Sequence, residues 1–104
     1  MYGTIARYRP LPGKERDAQE LTRQWIEQRA PQIPGFVGEY ELKSDANPGE
    51  WFAFVIFDSE ESYRKNAADP DQDRWYRQLR ATLAADPEWT DGEIASLHAE
   101  TVPL

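Results

Sequence analysis

Seven consecutive apolar residues, WFAFVIF at positions 51–57, form the clearest hydrophobic feature of a chain whose mean hydropathy is -0.82. Successive side chains of a β-strand point to opposite faces, so a strand with one wet face alternates apolar and polar residues. Residues 51–57 do not alternate. The pattern therefore predicts a strand that is covered on both faces.

The N-terminal third predicts a strand followed by an amphipathic helix. Residues 2–9, YGTIARYR, contain β-branched and aromatic residues and are closed by prolines. Residues 14–30 place apolar side chains at helical spacing among charges, and Pro31 ends the pattern. The apolar stripe of this helix comprises Ala18, Leu21, Trp25 and, at its edge, Ile26.

A second strand is predicted over residues 36–43, FVGEYELK. Strict alternation puts Phe36, Tyr40 and Leu42 on one face of this strand. The polar side chains Glu39, Glu41 and Lys43 then fall on the other face. The following segment, SDANPGE, is rich in turn formers and predicts a hairpin-like connection, which makes residues 36–43 and 51–57 antiparallel neighbours.

The C-terminal half predicts a helix in two pieces and a last strand. Asp58 is placed to cap the first piece, with Glu61 completing a capping box. At Asp69-Pro70 the helix must restart, because proline has no N–H to donate. The second piece, residues 70–85, repeats apolar residues at helical spacing, and residues 93–102, EIASLHAETV, alternate weakly as a final strand.

This order of elements, β-α-β-β-α-β, predicts a ferredoxin-like α+β fold, with two helices on one face of a four-stranded antiparallel sheet. We expect the 104 residues to form a single domain, 1–104, with a thin core. The other face of residues 51–57 is then bare in a monomer, and a bare patch of Trp, Phe, Ala and Val is seldom left in water. We therefore expect a homodimer joined through the sheet faces, or else neighbouring side chains that fold over the patch.

Composition and motifs exclude several classes of function. A net charge of -7 argues against a nucleic-acid-binding surface. With one histidine and no cysteine the common zinc sets lack ligands, and glycine-rich nucleotide motifs and a nucleophile elbow do not occur, so we expect neither a metal nor another cofactor. No apolar run approaches the roughly 20 residues of a membrane span, and the N-terminus lacks the pattern of a signal peptide. These features predict a cytoplasmic protein without membrane contact.

Three segments carry a family resemblance: YGTIARYRPLPGKE, APQIPGFVGEY and WFAFVIFDSEESYRKNAADP. They resemble the antibiotic-biosynthesis-monooxygenase-like proteins of the dimeric α+β barrel superfamily over nearly the whole chain. The resemblance implies a dimer and one of two activities, the cofactor-free oxidation of hydroxylated aromatics by molecular oxygen or the degradation of haem. The haem-degrading branch uses an Asn on the first strand and a Trp and a His on the second helix. The matching positions here hold Ala6, Asn66 and Tyr76, which argues against haem degradation.

In the cofactor-free branch the resemblance implies an Asn, Trp and Tyr set on the second helix. Asn66 and Tyr76 match in type and approximate spacing, whereas Pro70 stands near the place of the Trp, and Trp75 lies beside the Tyr. Such chemistry needs donors for the charge that develops on a phenol oxygen, and an amide or a phenol supplies one. The alternative is that Tyr76 is a core aromatic and Asn66 a residue near the helix break.

Four further residues complete the predicted site. His98 is the single histidine and a candidate base, because histidine is the side-chain type that titrates near neutral pH; a structural or solvated role is the alternative. Trp25, Tyr63 and Trp75 can stack on a flat substrate or simply fill the space between helix and sheet.

We therefore predict a cofactor-independent monooxygenase for a hydroxylated aromatic molecule. A non-catalytic small-molecule binding or sensing dimer, or an isomerase, decarboxylase or dehalogenating relative, remains open.

Overall fold

The computed structural model describes residues 1–99 and confirms the predicted α+β architecture. One antiparallel sheet has the strand order β2-β3-β1-β4, and three helices pack on one of its faces. No helix in this described part has the length and apolar content that a membrane span requires. The elements are β1 (Tyr2–Tyr8), α1 (Glu15–Gln24), β2 (Phe36–Lys43), β3 (Trp51–Phe57), α2 (Glu60–Ala67), α3 (Pro70–Arg80) and β4 (Glu88–Glu93).

The first helix does not run regularly over residues 14–30 as predicted, because its last turns change type. After α1, Trp25–Arg29 forms a π-helical turn in which the N–H of Ala30 bonds to the carbonyl oxygen of Trp25. Ala30–Gln32 then forms a short 3-10 turn that contains a proline. A π-turn widens the helix by one residue per turn. Here it accompanies the placement of Trp25 and Arg29 side by side at the contact with α3.

The predicted facing of β2 was wrong at its start. The register between β2 and β3 shifts between Phe36 and Gly38, and a glycine inside a strand is a common place for such an irregularity. Because of the extra residue, Phe36 turns toward the helices and packs edge-on against Trp25 and Phe57. Tyr40, which alternation had placed beside Phe36, is 54% exposed on the opposite face.

Both faces of β3 are apolar, but the residues expected on the bare face lie under the helices. Trp51 and Phe57 are buried, and Ala53 and Val55 pack against the same core clusters. The expectation that these four residues form the bare patch was therefore wrong. The helix-free face instead carries the alternate residues of β3 and their cross-strand neighbours, an apolar patch made of Ile5, Tyr40, Leu42, Phe52, Phe54 and Ile56.

The helices α2 and α3 meet at the predicted break. The carboxylate of Asp69 accepts a hydrogen bond of 2.8 Å from the N–H of Asp71, and Pro70 is the first residue of α3. The start of α2 differs from the prediction, because Ser59 and not Asp58 is its N-cap. The hydroxyl of Ser59 accepts from the N–H of Ser62 at 3.1 Å, a short-range bond that a serine in extended conformation makes readily.

The last strand lies earlier than predicted. β4 pairs with β1, whereas residues 94–99 have no regular secondary structure, and residues 100–102 of the predicted strand lie outside the described part. The sequence EWTDGE has a poor strand propensity, so cross-strand contacts decide its conformation. One such contact is the 2.7 Å hydrogen bond from the hydroxyl of Thr4 to the carboxylate of Asp91. His98 is consequently not on a strand and is exposed.

Candidate functional site

A cleft of about 470 Å³ lies between the sheet and the helices. This volume is within the range of about 300–1,000 Å³ that is usual for small-molecule sites. Part of the space exists because Ala6 on β1 and Ala53 on β3 face each other across the middle of the floor. Larger side chains surround this pair. Those that bear on the chemistry are Tyr8, Trp25, Glu39, Glu41, Tyr63, Asn66, Trp75, Tyr76, Trp89 and Asp91.

Five of the six predicted site residues line this cleft, namely Trp25, Tyr63, Asn66, Trp75 and Tyr76. His98 does not belong to the lining, because it lies in the irregular segment that follows β4. The metal-ligating side-chain types of residues 1–99 form no group of three or more that could hold a metal ion. The structure therefore brings together the aromatic and amide residues of the prediction but not its histidine.

Trp25 and Trp75, the two tryptophans of the predicted site, present ring surface to the cleft. Trp25 is 6% exposed, and its indole N–H donates to Oε1 of Gln72 at 2.8 Å. The indole N–H of Trp75 donates to the carbonyl oxygen of Leu21 at 2.9 Å. Because protein acceptors already use both N–H groups, these residues offer a ligand apolar ring faces. They serve the core and the cleft wall together.

Arg29 fixes the orientation of the Asn66 amide. Its guanidinium donates to Oδ1 of Asn66 at 2.7 Å and to Oε1 of Gln72 at 2.8 Å. A guanidinium has no acceptor, so it must face the oxygen of the amide. The NH₂ group of Asn66 is then the group turned away from Arg29. Asn66, a residue of the cleft lining, thus keeps an NH₂ donor that the bond to Arg29 does not use.

Tyr76 lies at the cleft beside the exposed Trp89, and their ring centroids are 6.1 Å apart. Burial, together with the negative charge of Asp86, raises the pKa of Tyr76. The hydroxyl is therefore a neutral donor at physiological pH. Trp89, which is not among the predicted site residues, belongs to β4 and forms part of the cleft wall.

A hydrogen-bonded group closes the β4 side of the cleft. Asp91 accepts bonds from the hydroxyls of Thr4 and Tyr63, at 2.7 and 2.9 Å, and pairs with Arg64 at 3.4 Å. Burial disfavours the charged form of Asp91, but the two hydrogen bonds and the charge of Arg64 favour it more strongly. The pKa of Asp91 therefore lies below its usual range. Burial and the bond to Asp91 raise the pKa of Tyr63 to about 12. Tyr63 is therefore a neutral phenol that is committed to Asp91.

Sequence reasoning missed two carboxylates on the sheet side of the cleft, Glu39 and Glu41, because alternation had placed them on the face opposite Phe36. Glu41 accepts hydrogen bonds from the hydroxyls of Tyr8 and Thr22. Burial raises the pKa of Glu41, although both bonds oppose the shift, and burial with the bond to Glu41 raises the pKa of Tyr8. The one available signal was Gly38, since a glycine inside a strand indicates a possible bulge.

Glu39 is the less satisfied of the two carboxylates. Within residues 1–99, its Oε1 is buried and has no hydrogen-bond partner. Burial, followed by the neighbouring charge of Glu41, raises the pKa of Glu39 to about 7. A carboxylate in this state destabilises the fold at neutral pH, because its charged form loses water without gaining a donor.

We expect Glu39→Gln to stabilise the protein above pH 7 and to leave it unchanged near pH 4. The unfolded chain releases this proton near its ordinary value of 4.5, and the folded chain keeps it up to about 7, so the wild type loses stability as the pH rises between these values. Because the side chain is only half-buried, we expect a gain of about 1–2 kcal/mol, well below the full conversion of the shift.

Thermal unfolding of both proteins between pH 4 and pH 8 measures this difference. Glu93→Gln, at an exposed position on β4, is the matched control and is expected to follow the wild type. Equal melting temperatures of Glu39→Gln and wild type across the whole range would contradict the unsatisfied state of Glu39.

Several solved protein structures share this architecture. A candidate antibiotic biosynthesis monooxygenase from Caulobacter crescentus has a TM-score of 0.81 at 13% identity, covering 91% of this chain and 90% of its own. A conserved protein from Methanosarcina mazei has a TM-score of 0.78 at 15% identity, covering 88% of this chain and 89% of its own. A Mycobacterium tuberculosis protein has a TM-score of 0.75 at 19% identity, covering 96% of this chain and 98% of its own. At such identities the likeness shows a shared fold.

A search of proteins with curated annotation found no match. The sequence of residues 1–78, however, matches the family model for antibiotic biosynthesis monooxygenase. This match spans well over half of the 104 residues, from β1 into α3. The chain therefore belongs to the antibiotic biosynthesis monooxygenase family.

Proposed function

We propose that this protein is a monooxygenase that oxidises a hydroxylated aromatic small molecule with molecular oxygen and without a bound cofactor. The observation that carries the proposal is the combination within one cleft of aromatic ring faces with two hydrogen-bond donors, the Asn66 amide and the Tyr76 hydroxyl. Ring faces bind a flat substrate, and the donors orient its oxygen. Membership of a monooxygenase family supports the type of reaction.

The reaction balances without an external reductant if the substrate supplies the electrons. Loss of the hydroxyl proton gives an electron-rich anion, which passes one electron to O₂, and the resulting radicals combine to form a C–O bond. Breakage of the O–O bond and loss of water then leave a quinone. One oxygen atom enters the product, and the other leaves as water with the two hydrogens of the substrate's O–H and C–H bonds. O₂ thus receives four electrons from the ring.

In this scheme the residues on the helical side of the cleft, which form its roof, have separate roles. Tyr76 and Asn66 donate hydrogen bonds to the substrate oxygen as negative charge develops there. Trp25, Trp75 and Tyr63 form the walls that hold the ring and keep water from it. We assign no role to His98, which lies outside the cleft lining.

The test is oxygen uptake by purified, metal-free protein with dihydroxynaphthalenes and anthrones, for wild type and Tyr76→Phe. Loss of one donor to a developing oxyanion costs about 10²-fold or more in rate, so we expect kcat/KM to fall by about 10²-fold. Tyr2→Phe, which removes a hydroxyl outside the cleft lining that accepts a hydrogen bond from Arg64, is the matched control and is expected to keep the wild-type rate.

Each outcome of this test has a distinct meaning. An unchanged rate in Tyr76→Phe would remove Tyr76 from the site. If the wild type takes up no oxygen but one of the same compounds raises its melting temperature, the protein is a binding or sensing module and not an oxygenase. Fluorescence of the cleft tryptophans reports binding in the same samples, so loss of affinity is distinguished from loss of turnover.

We also propose that the active form is a homodimer joined through the helix-free sheet face. The rings of Tyr40 and Phe54 stack there at 4.4 Å, and Ile5, which pairs with Phe54 across β1 and β3, is 39% exposed. Contiguous exposed apolar patches of this kind usually mark an interaction surface, and a two-fold dimer buries the same patch on both chains. Light scattering tests this proposal: Phe54→Lys is expected to reduce a mass of two chains to one.

A further inference from the structure

The cleft floor holds a carboxylate that the roles above leave unused. Glu39 projects from β2 beside Val55 of β3 and lines the cleft. Its Oε1 is buried, and no hydrogen-bond donor among residues 1–99 reaches it. An unpaired buried polar group costs about 1–3 kcal/mol, so a fold that retains one needs an explanation. A cleft ligand that donates its proton to this carboxylate would supply it, because protonation removes the charge for which Oε1 has no donor.

Glu41, the neighbouring carboxylate on the sheet side of the cleft, differs from Glu39 because it accepts hydrogen bonds from protein groups. Glu41 lies two residues further along the same face of β2 and accepts bonds from the hydroxyls of Tyr8 and Thr22. Both bonds end on Oε1 of Glu41, so protein hydroxyls already hold this carboxylate, whereas no donor among residues 1–99 reaches Oε1 of Glu39. Of these two carboxylates, we therefore assign proton transfer to Glu39.

We propose that Glu39 is the base that removes the proton from the substrate hydroxyl, and that the substrate is therefore an uncharged phenol or enol. In this step the substrate O–H bond breaks, its electron pair stays on the oxygen, and the proton goes to the carboxylate of Glu39, which becomes a neutral carboxylic acid. The inference rests on the proposed function, because the anion formed here is the species that reacts with oxygen. A substrate carrying a carboxylate or phosphate is disfavoured, since it would meet Glu39 and Glu41 as like charges.

The electrostatics of the cleft suit this role. Burial and the adjacent Glu41 raise the pKa of Glu39 to about 7, and a general base works best when its pKa is near the working pH. Tyr8 and Tyr63 already donate to Glu41 and Asp91, so neither hydroxyl is directed at Glu39. The titratable groups that line the same cleft from the other elements are Tyr8 on β1, Tyr63 on α2, Asp73 and Tyr76 on α3, and Asp91 on β4.

Proton transfer can be observed without turnover by adding 1-naphthol under nitrogen. At about pH 8 Glu39 is ionised, while a free phenol, with a pKa of about 10, is neutral. In its excited state 1-naphthol is a far stronger acid than in its ground state, so we expect an excess of the wild-type protein to give the red-shifted emission band of bound naphtholate. Glu39→Gln is expected to bind neutral naphthol without this band. Glu39→Asp, which keeps the carboxylate on a shorter side chain, is expected to restore part of it.

The pH dependence of kcat/KM for oxygen uptake provides the second readout. We expect the wild-type rate to rise through pH 7 as Glu39 ionises. Glu39→Gln is expected to lose this rising limb of the pH profile. Its rate is expected to be about 10²–10⁴-fold lower, the usual contribution of a positioned base. Glu41→Gln removes a neighbouring negative charge and is expected to move the limb to lower pH. A residue with a purely structural role would produce neither effect.

The outcomes separate this inference from the proposed function. A naphtholate band that persists in Glu39→Gln, or a pH limb that it retains, overturns the role of Glu39 while oxygen uptake still supports the function. A band that depends on Glu39 in a protein that takes up no oxygen overturns the function and supports proton removal. Absence of the band and of the limb in the wild type overturns the inference. Circular dichroism verifies that each variant is folded.

Discussion

Phe57→Ala is expected to destabilise the fold by about 3–5 kcal/mol, a large share of the roughly 5–15 kcal/mol that holds a small domain together. Phe57 is 1% exposed and is the largest fully buried side chain of residues 1–99. Its ring packs edge-on against Phe36 and Tyr63, with centroids 6.0 and 5.6 Å away. Truncation leaves a cavity between β3 and α2 that these rings cannot fill without giving up their contacts.

Urea unfolding measures this loss. Leu11→Ala, at a loop leucine that is 38% exposed, removes an apolar side chain outside the buried core and is expected to cost less than about 1 kcal/mol. A loss below about 2 kcal/mol for Phe57→Ala would mean that the cluster of rings around it collapses more easily than its packing indicates. Because Tyr63 also lines the cleft, we expect Phe57→Ala to weaken ligand binding as well.

Gly35→Ala is expected to have the second-largest effect on the stability of the fold, a loss of about 3 kcal/mol. Gly35 has φ +82°, a left-handed conformation that costs a residue with a Cβ about 1–2 kcal/mol. An added Cβ would also lie 2.5 Å from both Oδ1 of Asp58 and Cβ of Ser62. The carbonyl oxygen of Gly35 accepts a 2.8 Å bond from the N–H of Asp58, so relief by backbone movement would disturb the connection into α2.

Gly13→Ala is the matched control for this substitution. Gly13 has a similar φ of +86°, but an added Cβ there meets nothing within 4 Å. It therefore measures the conformational cost alone, about 1–2 kcal/mol. The difference between the two variants in urea unfolding isolates the steric contact at the start of α2. Equal losses would show that Asp58 and Ser62 move aside freely.

The elements of the fold that were predictable from the sequence are those with local causes. The break between α2 and α3 follows from the covalent structure of Pro70, and β3 follows from its unbroken apolar run. The place of β4 was not predictable, because EWTDGE becomes a strand only by pairing with β1. Residues 94–99 alternate better and yet have no strand partner in the described chain.

The candidate site divides in the same way. Trp25 was predictable because it lies on the apolar stripe of the first helix, and Tyr63 and Trp75 because large aromatic side chains pack between helix and sheet. Glu39 and Glu41 were not, because a shift of one residue reverses the faces of a strand, and the irregularity at Gly38 changes the phase after Phe36. The hydrophobic pattern of β2 could not reveal that its polar residues face inward while Tyr40 and Leu42 face outward.

The facing alanines of the cleft floor have a practical consequence for altering substrate choice. Ala6 and Ala53 pair directly across β1 and β3. Neither side chain has a polar atom, so their replacement by valine or leucine would narrow the cleft without disturbing any hydrogen bond of the roof. Ring systems of different width could then be selected one methyl group at a time. For an engineer seeking new specificity, this pair is the place to begin.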